Sequence, residues 1–192
     1  AAKTGNLLRD ELGAAAGSRV ALLLPAHWQT AAVLFGIWWI GAEVVLSGDA
    51  DIALCTADRL TEADGAVGAG EIAVLSLDPF GKPVTDLPIG VTDYATSVRV
   101  HGDQITAERQ PGPALAGRSA AEVLSAAEAS AAARGLTATD RVLSTAGWGT
   151  PDALIDHLLA VFAAGASLVQ VAHADPEVQT RRRTAEKVTK EL

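Results

Sequence analysis

The stretch from Arg19 to Leu46 reads as a strand, a sharp turn, a buried helix and a second strand. Val20–Leu24 is a continuous apolar run too short for a helix and closed by Pro25, the pattern of a strand covered on both faces. Ala31–Ile40 is apolar nearly all round, as a buried helix is, and Gly41 stops it where a left-handed cap residue is wanted. Val44–Leu46 opens the next strand. The unit is therefore a βαβ crossover, right-handed by the geometry of twisted strands, and it requires a mostly parallel sheet with helices on its faces.

At 192 residues the chain can bury about 70% of the surface its unfolded form exposes, enough for a core without disulfides or structural metal. Its one cysteine, Cys55, excludes a disulfide framework and fits a reducing compartment, so a cytoplasmic location is expected. A net charge of −8 without any basic stripe repels phosphate backbones and anionic lipid, which argues against nucleic-acid and membrane partners. The longest apolar run, Ala31–Ala42, is shorter than the ~20 residues that span a bilayer, and no secretory leader opens the chain. There is no methionine, and the chain begins inside what reads as a helix, so a trimmed start or residues missing from inside loops is expected.

Residues 1–192 are expected to form one α/β domain with a first half at 1–79, an irregular connection at 80–118 and a second half at 119–192. Ala1–Leu12 carries Leu7, Leu8 and Leu12 on one face and reads as an amphipathic helix lying on the sheet. Ile52–Cys55 and Glu71–Leu77 read as strands, with a short helix from Thr56 or Asp58 to Asp64 between them. A helical turn is expected around Thr92–Val98, and Gly102–Gly117 reads as a surface connection. Ser119-Ala-Ala-Glu122 is a capping box that starts a helix ending at Gly135. The opening unit then returns: Asp140–Ser144 as a strand, Thr150-Pro151 starting a helix to Ala164, and Leu168–Val171 as the exit strand. Asp175-Pro176 opens a last helix with an apolar stripe of Val178, Ala185, Val188 and Leu192, leaving Arg181–Arg183 on a solvated face.

Three stretches carry a family resemblance. Asn6–Leu12 followed by Gly17–Pro25, then Ile40–Val45, then Leu136–Ser144 through Leu159–Val169 together resemble the N-terminal subdomain of the adenylate-forming enzymes, which include the acyl-CoA synthetases. The resemblance implies that family's α/β fold. It also implies a hydroxyl-rich loop ending in lysine just before the capping-box helix, where backbone N–H groups and an ammonium neutralise a triphosphate. Here that place holds Gln110-Pro-Gly-Pro-Ala-Leu-Ala-Gly-Arg118, without those hydroxyls or that lysine; Lys3, Lys82, Lys187 and Lys190 all lie elsewhere. Adenylation is therefore not expected, and no cofactor is assigned.

Other chemistries find little footing. No Gly-x-Gly-x-x-Gly follows the first strand, and Gly-x-Ser-x-Gly is missing. Ser144, Asp152 and His157 do not make a triad if Asp152 and His157 sit on different faces of an α-helix. The four histidines lack metal spacing, so no metal is expected. Beyond the carboxyl ends of the strands, where parallel sheets bind ligands, the sequence places His27, Trp28, Thr56, Gly147, Trp148 and His173. The resemblance gives the Trp148 position a part in an acyl pocket. Rings with few charges favour an apolar or acyl-like small molecule. The reading is a non-catalytic acyl-CoA-synthetase-like domain used for binding or assembly, expected as a homodimer. The alternatives are one subunit of a split acyl-CoA or AMP-dependent ligase that needs a partner, and a nucleotide-binding regulator.

Overall fold

The Val20–Leu24 run is realised as β1, Arg19–Leu23, and the helix after it as α2, Trp28–Trp39. The computed structural model describes residues 1–192, in two compact units, 1–119 and 120–192. Unit 1 contains α1 (Ala2–Asp10), β1, α2, β2 (Glu43–Val45), β3 (Ile52–Cys55), α3 (Leu60–Val67), β4 (Glu71–Val74), β5 (Val91–Asp93) and α4 (Tyr94–Val100). Its five strands run parallel in the order β2-β1-β3-β4-β5. This is the helix-flanked parallel sheet that the crossover requires.

Both faces of the sheet are dry because successive strand residues point opposite ways. Ala21, Leu23, Ala53, Cys55, Ile72 and Val74 form one core with Ala63 and Leu60 of α3. Val20, Leu22, Ile52, Leu54 and Ala73 alternate with them and are equally buried. They face α2, which a right-handed β1-α2-β2 crossover carries to the opposite side from α3. Gly41 ends α2 in a left-handed conformation (φ 75°), while Gly41 N–H donates to Trp38 O and Ala42 N–H to Ile37 O, the paired bonds of a Schellman cap.

Two expectations need correction here. The helix at Ala2–Asp10 packs chiefly on α2 and α4 rather than on the sheet. Thr92–Val98 is not one helical turn: Val91–Asp93 is a fifth strand, and Asp93 caps α4 by accepting the Thr96 N–H at 2.7 Å. Gly102–Gly117 is the surface connection expected, mostly exposed and without regular structure, and it is tied down along its length. Asn6 Nδ2 donates to Gly102 O and Gln104 O, Glu108 N–H to Trp39 O, and Gly112 N–H to Gly41 O, while Ala114 and Leu115 are buried. Main-chain pairing of this kind leaves no sequence signature.

Unit 2 contains α5 (Ala120–Ala133), β6 (Arg141–Ser144), α6 (Pro151–Leu154), a π-helical turn (Ile155–Leu159), α7 (Ala160–Ala163), β7 (Ser167–Gln170), α8 (Pro176–Ala185) and β8 (Lys190–Glu191). Its sheet is separate, with parallel strands in the order β7-β6-β8. The expected stripe of the last helix is corrected: α8 stops at Ala185, and Leu192 reaches the core of Val142, Ala160 and Val161 by following β8. Arg183 pairs with Glu191, which ties α8 to that strand. No helix is long and apolar enough to cross a membrane.

The α1–α2 crossing depends on glycine. A Cβ on Gly36 would stand 2.7 Å from Thr4 Cβ and 2.9 Å from Ala1 O, closer than packed atoms allow. Gly36→Ala should therefore lower stability by about 1–3 kcal/mol in urea unfolding. Gly65→Ala, in α3 with nothing near its Cβ, should raise stability by roughly 0.5–1 kcal/mol. Unit 2 offers an acid-sensitive contact. Asp140 accepts from Thr189 Oγ1, Thr137 Oγ1 and Thr137 N–H, all at 2.8 Å, which depresses its pKa from 3.8 to about 2. Its contribution to stability is present above the ordinary value and is lost as pH falls from there through about 2. Asp140→Asn should flatten the acid limb of a thermal-midpoint-against-pH curve.

Candidate functional site

In unit 1 the predicted residues stand at the carboxyl ends of adjacent strands. His27, after β1, caps α2 by accepting the Gln29 N–H on Nδ1 at 3.3 Å, and its burial lowers its pKa. Trp28 begins the helix; its ring centroid is 5.7 Å from that of His27, and it is 61% exposed. A tryptophan left open at a helix entry is not serving as a core anchor. Thr56, after β3, precedes a short 3₁₀ turn and bonds Asp58, lowering that carboxyl's pKa.

Trp28 is the one predicted residue that lines the cleft of unit 1, a cavity of about 400 Å³. Its other walls come from segments far apart in sequence: Lys3 and Thr4 of α1, Gln29 and Ala32 of α2, Pro79–Gly81 after β4, and Tyr94, Ala95, Val98 and Arg99 of α4. Tyr94 OH and Thr4 Oγ1 are hydrogen-bonded at 2.7 Å, and burial raises the Tyr94 pKa. Lys3 Nζ donates to the carbonyls of Arg99 and His101, and Arg99 Nη2 to that of Gly81. Gln29 is 7% exposed, and its side-chain carbonyl oxygen has no hydrogen-bond partner. Sequence reasoning missed Phe80, Gln29 and Arg99. Only the exposed aromatic in Asp78-Pro-Phe-Gly81 was a local sign of them.

In unit 2, Gly147 lies in an open loop, Trp148 is buried with its indole N–H unpartnered, and His173 is exposed with φ 54°. The reading of Ser144 and His157 is corrected in part: Ser144 Oγ lies 3.1 Å from His157 Nδ1. His157 lies in the π-helical stretch 155–159, whose side chains align differently from those of an α-helix. Ser144 Oγ also accepts the Ala146 N–H, so the hydroxyl bridges His157 and the backbone after β6. At 0% exposure the hydroxyl is out of a substrate's reach. The pair ties β6 to the π-helical turn. No group of three or more His, Cys, Asp and Glu side chains is arranged to hold a metal ion.

The segment Gln110–Arg118, where the resemblance implies a phosphate loop, is a tight turn. Ala116 (φ 50°) and Gly117 (φ 76°) are its two central residues, and Arg118 N–H donates to Leu115 O at 3.0 Å. Ala114 O receives both Val44 N–H, at 2.9 Å, and Trp38 Nε1, at 2.7 Å. The Gly117 N–H, which a phosphate would want, donates at 2.6 Å to Oε1 of Glu43, a residue only 9% exposed.

No protein-family model matches the chain. A Mycobacterium tuberculosis protein described as a TIGR03089 family protein is 69% identical over 197 residues, covering 100% of this chain and 81% of that protein. The chain belongs to the TIGR03089 family. Among solved structures, this family member is similar to a Brucella canis acyl-CoA synthetase, with TM-score 0.80, 19% identity and 99% of the chain covered. It is also similar to Mycobacterium smegmatis MbtA, with TM-score 0.77, 20% identity and 99% covered. It spans 39% and 41% of the length of those two chains. The TIGR03089 protein thus has the fold of the N-terminal subdomain of the acyl-CoA ligases and resembles a fragment of them.

Ser144→Ala should leave the Ala146 N–H and His157 Nδ1 without this partner and cost about 1–3 kcal/mol in chemical unfolding. Any background hydrolysis of p-nitrophenyl acetate should be the same in wild type and variant.

Proposed function

We propose that this protein is a non-catalytic acyl-CoA-synthetase-like domain used for binding or assembly in the cytoplasm. The observation that carries the reading is the capture of the Gly117 N–H by the Glu43 carboxylate. A triphosphate brought to that turn would meet a fixed negative charge instead of free donors, and no lysine lies in the segment. ATP therefore does not fit, and no adenylation step is assigned to these residues. The one cysteine, Cys55, is free and buried, so the chain holds no disulfide, which fits a reducing compartment. Exposed Trp39, Ile89 and Val100 support assembly with a second copy.

A second reading, a subunit of a split acyl-CoA ligase, is favoured by the share of the solved synthetases that the chain spans, 39% of the Brucella canis protein. In it, a partner supplies the phosphate loop and its lysine.

Calorimetry with ATP and AMP decides between them. The protein alone is expected to give no saturable heat, and pyrophosphate release with fatty or aromatic acids is expected to be absent. Micromolar ATP binding overturns the non-catalytic reading; pyrophosphate release only on adding a second protein replaces it with the split ligase. Sedimentation equilibrium should show a dimer.

A further inference from the structure

We propose that the cleft face of unit 1 docks an acidic segment of another protein, its apolar side chains against Trp28 and Phe80 and its Asp and Glu carboxylates at Arg99 and Lys3. The proposal rests on the binding-domain reading and names the partner's chemistry. The first ground is exposure. Phe80 is 85% exposed and Trp28 61%, although both line the cleft of about 400 Å³. A pocket for a small molecule encloses its ligand between covered walls. Rings that stand this far out at a rim are covered only by something that extends past the cavity, as a bound polypeptide does. Trp, Tyr and Arg are also the side chains that carry most of the binding energy between proteins, and Trp28, Tyr94 and Arg99 line this one cleft.

The second ground is that Phe80 is held out by its turn. Asp78 Oδ1 accepts the N–H groups of Phe80 at 2.8 Å and Lys82 at 3.4 Å, Gly81 N–H donates to Asp78 O, and Ser76 Oγ donates to Lys82 O. Arg99 Nη2 donates to the Gly81 carbonyl and so fixes the same turn to α4. A braced turn adds nothing to the core by exposing a phenylalanine, but it reduces the ordering entropy lost when a partner covers the ring. The third ground is charge. In a chain of net charge −8, Lys3 and Arg99 line the cleft and no carboxylate does. Their hydrogen bonds go to backbone carbonyls, which fix the two cations in place and leave further N–H donors for carboxylates. A second copy packed about a two-fold axis would set this cationic patch against itself. Nucleic acid brings rings and negative charge together, but its charge density meets the repulsion of the whole acidic chain. A polypeptide that mixes carboxylates with apolar side chains fits the rings and the cations at once.

The test pans a displayed library of random dodecapeptides against the full chain and titrates the enriched sequences, synthesised with blocked ends, by fluorescence anisotropy. The enriched peptides are expected to be net acidic, to carry aromatic or aliphatic residues among the acids, and to bind with micromolar dissociation constants. Phe80→Ala, Trp28→Ala and Arg99→Gln should each weaken them about fivefold or more, as loss of an interface anchor does. Trp39→Ala, which removes an exposed ring outside the cleft, should leave binding unchanged. All four side chains are exposed, so the variants should keep the wild-type circular dichroism. Replacing the acids of a peptide by their amides leaves the protein untouched and should weaken binding about tenfold, the difference charge-assisted bonds make. No enrichment, enrichment of basic or uncharged peptides, equal binding of acid and amide peptides, indifference to the ring and Arg99 substitutions, or tighter binding of an oligothymidylate of the same length overturns the proposal. A dimer that Phe80→Ala dissociates in sedimentation equilibrium also overturns it, by giving the cleft to a second copy. ATP binding would overturn the non-catalytic reading yet leave the peptide selection standing, so the two failures are distinguishable.

Discussion

Glu43 holds unit 1 closed at one edge. It lies on β2, the outermost strand of the five, where unpaired backbone groups would otherwise face water or another chain. Its carboxylate accepts the Gly117 N–H and lies 3.9 Å from the Arg19 guanidinium. The turn it secures delivers Ala114 and Leu115 to the edge, where Leu115 pairs with Val44 and the Ala114 carbonyl bonds both Val44 and Trp38. One buried carboxylate thus orders the return of the 110–118 segment, covers a sheet edge and fills with its own charge the place where an anion would bind. Burial makes that charge dependent on its partners, so the turn and the carboxylate form one structural feature.

Much of this fold was legible because hydrophobic periodicity reports burial. Val20–Leu24 and Ile52–Cys55 are apolar runs bounded by turn residues, and each became a strand; Arg141–Ser144 was legible as a repeat of the opening unit. Gly41 and Thr150-Pro151 marked helix ends by conformational preference alone. What escaped lacks such a signal. β5 and β8 are three and two residues long, too short for alternation to be seen, and they exist because a neighbouring strand offers an open edge. The π-helical turn adds one residue to a helical register without any marker in sequence. His157, whose ring nitrogen lies 3.1 Å from Ser144 Oγ, belongs to that turn.

The cleft was illegible for a different reason. Its walls come from residues 3–4, 28–32, 79–81 and 94–99, gathered by the order in which strands join the sheet. Trp28 alone stood next to a strand end and could be found by the rule that ligands gather there. Arg99 and Lys3 look in sequence like ordinary surface cations. Only their placement beside open rings distinguishes them. The resemblance to ligases could not reveal this either, since at 19–20% identity it reports the path of the backbone and not the lining of a pocket.

The charge distribution separates the approach of a ligand from its retention. With net charge −8, the protein's far field repels anions, so an anionic small molecule gains no electrostatic steering from a distance. Beyond roughly 8 Å at physiological salt that field is screened, and what counts is the local pair of cations at the cleft. A ligand of the cleft would therefore be selected at contact, by Arg99 and Lys3 and by the open rings of Trp28 and Phe80.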